Sequence, residues 1–214
     1  MATARKHRKT PTQARARRTV DAILGAAAQV FARRGYAGAT TNHIAARAGV
    51  SIGSVYEYFG DKNAILVALL ERHIDDAERA LEAVAAGAES FGAMTRAAVT
   101  AMVELHAREP ALHRVLFEET PRPPAVRRRL ADVEHRTVEA VAAVLVLHGL
   151  SGDASSALAT AKTVARLVEG LTHRSVLDGD LGAGDVRAVV DDIVCAVLAY
   201  VEARRGGVTA ARAG

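Results

Sequence analysis

The chain of 214 residues has no tryptophan, one cysteine and five prolines, and only 4% of it is aromatic. A single cysteine, Cys195, cannot form an intramolecular disulfide, so packing alone must hold the fold, which fits a reducing cytoplasm. Cys195 lies among Ile193, Val194 and Val197, a setting that predicts a buried, inert thiol rather than a nucleophile. Long apolar runs are missing too: Ala140 to Leu147 falls far short of the roughly 20 residues a helix needs to cross a bilayer. The first residues are basic with no apolar segment directly behind them, which excludes a secretory signal and predicts a cytoplasmic protein without membrane contact. No GxSxG elbow, Walker-type loop, strand-linked GxGxxG or HExxH is present, so neither an enzyme nor a cofactor is expected. Sustained polar/apolar alternation with hairpin turns is absent as well. The expected fold class is all-α.

What is present is helical periodicity, most pointedly in Thr40 to Lys62, TTNHIAARAGVSIGSVYEYFGDK. The hydroxyls of Thr40-Thr41 can accept the orphan N–H groups of a first helical turn, and Gly49 can take the left-handed conformation that ends it. Ile44, Ala45 and Ala48 form an apolar face, and Ala45 is small enough for a second helix to cross closely. Ser51 caps that second helix. Val55 and Phe59, four apart, point inward, which turns Ile52, Gly53, Ser54, Tyr56 and Tyr58 toward the outside or the flanks. Upstream, Val20, Ile23, Leu24, Ala27 and Phe31 make Arg18 to Gly35 an amphipathic helix that Gly35 stops. Downstream, Asp61 caps a helix carrying Ile65, Leu66, Leu69 and Leu70. A helix-turn-helix inside a small unit with its own core is the expected arrangement, with the motif at 40–59.

The run ILGAAAQVFARRGYAGATTNHIAARAGVSIGSVYEYFGDKNAIL resembles the N-terminal domain of the TetR family of bacterial transcriptional regulators. Phe31, Gly35-Tyr36, Thr40-Thr41, Ile44-Ala45, Ala48 to Ser51, Gly53 to Tyr56, Tyr58-Phe59 and Lys62 carry the resemblance in one register over residues 17–77. It implies a DNA-binding site made of Thr40, Thr41, Ser51, Ile52, Gly53, Ser54, Tyr56, Tyr58 and Lys62. Thr40, Tyr58 and Lys62 would hold phosphates, and Ser54 and Tyr56, with Ile52 and Gly53, would face the major groove. Ile52 departs from the family, which often has a polar residue or proline there; an apolar side chain suits a thymine methyl or a sugar.

Charge supports the same end of the chain. Residues 1–62 hold eleven Lys or Arg against three Asp or Glu, a net of +8, and residues 63–214 hold seventeen against twenty-one, a net of −4. A local field for phosphates joined to a body that avoids nonspecific sticking is the physical meaning of that split. RKHRK at 5–9 and RARR at 15–18 come before the first helix with few apolar residues, so 1–16 are expected to be a disordered basic arm. Such an arm is either a minor-groove reader or a solvated tail that raises nonspecific affinity.

Residues 78–205 are expected to form a second, effector-binding and dimerisation domain, with a disordered tail at 206–214. Breaks at Ala86-Gly87, Glu109-Pro110, Thr120 to Pro124, His148 to Asp153 and Asp178 to Asp185 predict helices over 63–85, 90–108, 111–118, 124–147, 154–177 and 185–205. With the three before them that makes about nine. In the last two, Leu158, Ala161, Val164, Ala165 and Val168 form one stripe, and Val186 to Leu198 another that is broader than a single partner requires. An internal hairpin or a four-helix bundle with a two-fold copy would use them; the resemblance favours the homodimer, and with it a palindromic operator on double-stranded DNA.

The resemblance also implies a small-molecule pocket within 90–147, for which Phe91, Met94, Met102, Leu105, His106, Leu116 and Phe117 are candidate lining residues. Aromatics after residue 62 are only Phe91, Phe117 and Tyr200, so an aliphatic or mixed-polarity effector fits better than a planar cation. Histidines 106, 113, 135, 148 and 173 follow no tight-ligand spacing, although His106 or His113 could meet Glu109, and no metal is expected. Arg127-Arg128-Arg129 point in three directions on a helix and should reach solvent. The resulting expectation is a homodimeric, ligand-responsive repressor. Its rival, a helical ligand-binding or scaffold protein without operator binding, predicts decay of the recognition helix that Thr40, Ser54, Tyr56, Tyr58 and Lys62 do not show.

Overall fold

The computed structural model describes residues 14–85, 90–120, 122–178 and 186–212. Among them all regular structure is helical: α1 (Ala14–Gly38), α2 (Thr41–Ala48), α3 (Ile52–Tyr58), α4 (Lys62–Ala85), α5 (Phe91–Ala107), α6 (Pro110–Arg114), a π-helical turn (Val115–Glu119), α7 (Pro124–Leu147), α8 (Ala154–Asp178) and α9 (Val186–Arg212). The chain divides into two compact units, Met1–Ile74 with Glu109–Val126, and Asp75–Arg108 with Arg127–Gly214. Residues 109–126, expected in the effector-binding domain, thus belong with the first unit.

In the first unit the expected stripe of α1 is inside: Ile23, Leu24, Ala27 and Phe31 are buried with Ile44, Ala45, Val55, Phe59, Ile65, Leu66, Leu69 and Leu70. α1 begins at Ala14, so residues 14–16 of the expected arm are helical, with Thr19 Oγ1 donating to the Arg15 carbonyl; residues 1–13 lie outside the described residues. Gly35, at φ 64 and ψ 174, breaks the helical path, and Tyr36 folds back to stack on Phe31 with ring centroids 6.0 Å apart. α6 and the π-helical turn pack on α1 and bury Leu112, Val115 and Leu116. The wide turn closes on itself: Thr120 Oγ1 donates to the Val115 carbonyl five residues back, at 3.2 Å. One further bond ties it to α1, from the Tyr36 N–H to Glu119 Oε2 at 2.8 Å.

The second unit has a core of small and β-branched side chains, in which Val99 and Val103 of α5, Leu145 of α7, Ala157 and Ala161 of α8, and Ile193, Val194 and Val197 of α9 are nearly or fully buried. Alanine on α8 lets the α9 valines approach closely, which is how so few aromatics suffice. Arg129 of α7 does not simply reach solvent: its guanidinium donates to Asp75 and, at 3.0 Å, to Glu78 of α4, and Arg136 donates to the same Glu78. Hydrogen bonds from Arg129 to Glu78 and Asp75 push its pKa up. Cys195 is exposed rather than buried, because the α9 positions that face inward are 193, 194 and 197, and 195 falls on the other side. α9 continues to Arg212, past the expected end at 205, through the helix-favouring Ala210 and Ala211.

Candidate nucleic-acid interface

The expected turn between α2 and α3 is present. Thr40, in extended conformation, caps α2 by accepting from the His43 N–H at 3.2 Å, and Gly49 ends it at φ 67, ψ 28 with its own N–H on the Ala45 and Ala46 carbonyls. Ser51 caps α3: its Oγ accepts from the Ser54 N–H at 3.0 Å and lies 2.9 Å from Ser54 Oγ. Asp61 Oδ1 accepts from the Ala64 N–H at 2.8 Å to start α4. The reading head is therefore preorganised by three side-chain caps, each with a donor or acceptor satisfied inside the unit.

The candidate site residues separate into two groups. Thr40, Ser51, Ile52, Gly53 and Tyr56 are exposed, Ile52 by 38% and Tyr56 by 44%, and Ser54 is half-buried beside them. Half-buried Thr41 joins this face through its Oγ1, 3.2 Å from the Tyr56 hydroxyl. Tyr58 is different. Expected outside or on a flank, it is only 9% exposed, since position 58 lies about 60° from Val55 around the helix and about 200° from Tyr56. Lys62, expected by resemblance to hold a phosphate, gives its Nζ to the Tyr36 carbonyl at 2.7 Å and the Ala39 carbonyl at 3.1 Å, and sits 4.3 Å from the centre of the Tyr36 ring. Those carbonyls end α1, so Lys62 serves there as a C-terminal cap. Burial, and secondarily the Asp61 carboxylate, raise the Tyr36 hydroxyl above its ordinary pKa of 10.0.

Asn42, which sequence reasoning did not single out, is exposed in the first turn of α2 next to Thr41. Its amide offers a donor and an acceptor of the kind that reads adenine, and its place one residue past the capping pair was the available signal.

The residues suggested for an effector pocket do not fall in one unit. Phe91 belongs to the second unit's core with Met94 packed against it, Met102 and Leu105 are half-buried, and His106 is buried with its ring 4.8 Å from that of His173. Leu116 and Phe117 are in the first unit, where Phe117 stacks on His113 at 4.5 Å and meets His73 edge-on at 5.4 Å. His73 and His113 bring ring nitrogens within 4.8 Å of each other, a pairing between α4 and α6 that spacing along the chain did not reveal. His135 faces Glu139 at 3.3 Å on the surface of α7.

An exposed, capped recognition helix on a three-helix core defines a helix-turn-helix protein. Comparison with known proteins makes this specific. Residues 23–69 match the family model of bacterial regulatory proteins of the tetR family, and residues 90–200 match that of the tetracyclin repressor-like C-terminal domain. The chain belongs to the TetR family and is a DNA-binding transcriptional regulator, not an enzyme. It is 33% identical to the transcriptional activator FasR of Mycolicibacterium smegmatis over 96 residues, 45% of this chain and 44% of that one. It is 42% identical to the regulator HbdR of an Aromatoleum species over 57 residues, 27% of this chain and 25% of the relative. These alignments span less than half the length of either relative. In fold it resembles FadR of Bacillus subtilis, solved in complex with stearoyl-CoA, with a TM-score of 0.63 at 20% identity over 83% of this chain and 96% of that one. Among the described residues no helix is long and apolar enough to cross a membrane.

Proposed function

We propose that this protein is a homodimeric repressor that binds a palindromic operator through α3 and the start of α2, and leaves it when a small molecule of aliphatic or mixed polarity binds the second unit. The observation that carries the reading is the Thr41–Tyr56 contact at 3.2 Å, which links the two helices through exposed hydroxyls. Tyr56, Ser54 and Ile52 present a phenol, a hydroxyl and an apolar side chain to the major groove. Gly53 fits close approach of DNA, for a Cβ there would meet nothing nearer than Ser51 Oγ at 3.6 Å, so packing within the protein does not demand glycine. Thr40 and Ser51 are the phosphate-side residues of this reading. Lys62 and Tyr58 support the head from within.

The test is selection of a site from random duplex DNA followed by titration. Tyr56→Ala should weaken binding to the selected palindrome by about 10- to 100-fold, the size of one good base contact. Undiminished affinity in a folded variant would sink the assignment. Release is tested with stearoyl-CoA, chosen because the FadR structure contains it: added to the complex, it should lower the fraction of DNA bound. The M. smegmatis relative is named an activator, so a reporter fused to the bound promoter sets the sign. Its expression should rise when the gene is deleted.

A further inference from the structure

On the flank of α2 turned away from α3 lies an open groove of about 560 Å³. Arg33 and Arg34 of α1 and His43 and Arg47 of α2 form its rim over Val30 and Ala46. No carboxylate lines it. Among the described residues neither Arg33 nor Arg34 is in an ion pair, and both are exposed. Arg47 is held in place by a neutral partner: its Nε donates to Gln29 Oε1 at 2.6 Å and its Nη2 donates to the same oxygen. Arg47 stands in the last turn of α2, where a cation is favourable by itself, and Arg33 and Arg34 come just before the break at Gly35. Helix ends do not account for two helices opening one groove without an acid, nor for an amide that orients a guanidinium while leaving its charge uncompensated. Preorganised cations without internal counter-charge are what an anionic ligand requires.

We propose that this groove is a second phosphate track, which receives the sugar-phosphate backbone of DNA beyond the base pairs read by α3. The proposal rests on the operator-binding reading above. His43 lies two residues past Thr41, about 200° around α2, so the groove and the Thr41–Tyr56 pair lie on opposite flanks of one helix. A helix is about 10 Å across with its side chains, and one strand of B-DNA advances 3.4 Å per phosphate. The track thus meets phosphates about three positions farther along than those at the start of α2. It adds affinity and register and reads no base.

The experiment compares wild type with Arg33→Gln/Arg34→Gln/Arg47→Gln on a duplex that extends about one helical turn, about 10 bp, beyond the palindrome selected by the wild type. Each lost phosphate contact should lower the slope of log K against log salt by about 0.9, hence by roughly 2 to 3 in total, while the selected sequence stays the same. Ethylation of flanking phosphates should interfere with wild-type binding and no longer with the variant. Gln29→Ala, which keeps every charge and frees Arg47, should weaken binding severalfold. An unchanged slope and interference pattern in a variant with wild-type circular dichroism overturns the proposal; so does loss of inorganic pyrophosphate binding without any change on DNA. If the triple variant fails to fold, the same slope is read from Arg33→Gln and Arg34→Gln singly, each expected to lower it by about 0.9. A wild type that selects no sequence overturns the operator reading and the groove with it, whereas a selected palindrome with an unchanged slope removes the groove alone.

Discussion

Gly35 and Gly49 both have positive φ, 64 and 67, yet differ in ψ, 174 against 28, and in what surrounds them. A Cβ at Gly49 would meet nothing within 4 Å, so Gly49→Ala should cost only the left-handed backbone, about 1 to 2 kcal/mol. At Gly35 the backbone lies in a region open essentially to glycine alone, and the added carbon would also lie 2.9 Å from Glu119 Oε2, so Gly35→Ala should unfold at lower denaturant than Gly49→Ala. Placing both in a Glu119→Ala background should narrow the difference without erasing it, because ψ 174 is open essentially to glycine alone; an unchanged gap would mean the clash contributes nothing. Between them, Tyr36 makes a pH-dependent contribution. Its hydroxyl titrates above 10.0 when folded, so from about pH 10 upward the unfolded chain loses a proton that the folded one keeps, and stability falls until the folded pKa is passed. Urea midpoints across that range should decline less steeply in Tyr36→Phe. An equal decline would assign the loss to other groups. Local residue roles of this kind were partly legible in the sequence. The Gly49 turn and the Ser51 cap follow from neighbours within a few positions, whereas the carbonyls held by Lys62 are 26 and 23 residues away, and no local pattern joins them.

Helix positions were the most readable layer, since apolar spacing and breakers such as Pro110 and Gly49 act within one turn. Membership in a unit was not. Residues 109–126 follow α5 directly in sequence, but Leu112, Val115 and Leu116 are buried in the first unit, where the turn at Val115–Glu119 packs on α1. That contact depends on a wide π-helical turn and on a carboxylate that meets a backbone N–H 83 residues away, features with no periodic signature. The same element carries a prediction. Glu119→Ala removes the acceptor of the Tyr36 N–H and should cost about 1 kcal/mol, with Tyr36 the amide whose hydrogen exchange accelerates most in the first unit. Thr120→Val should loosen the turn separately by freeing the Val115 carbonyl. If Tyr36 exchanges at the wild-type rate in Glu119→Ala, the bond does not order the end of α1, and the turn is held to α1 by its apolar side chains alone.

For the molecule as a whole, charge was legible before any fold. The +8 of residues 1–62 against the −4 of the remainder suits an encounter with DNA led by one end of the chain, and association rates should fall steeply with salt. One recognition helix of seven residues, Ile52–Tyr58, touches few base pairs, and each mismatch is worth only about 1 to 3 kcal/mol. A genome supplies too many competing sites for that margin, and the proposed homodimer would supply the missing selectivity by setting two copies on one site. The surface to join them is expected on α8 and α9, where Leu158 and Leu198 remain 45% and 36% exposed although the second unit's core is complete without them. In a two-fold pair these leucines count twice, and four of them, each with about 40% of its surface still to bury, amount to roughly 2 to 5 kcal/mol. Leu158→Glu/Leu198→Glu should therefore raise the dissociation constant of the proposed dimer by about two to three orders of magnitude. Sedimentation equilibrium would see the mass fall from twice 22.5 kDa to that value at concentrations where the wild type stays paired. The variant's helical circular dichroism should be unchanged, because both leucines lie outside the folded core. Binding to the palindrome should become second order in protein, and a half-site should be bound as well as by wild type. A variant that remains at the dimer mass would place the two-fold interface elsewhere than at these leucines.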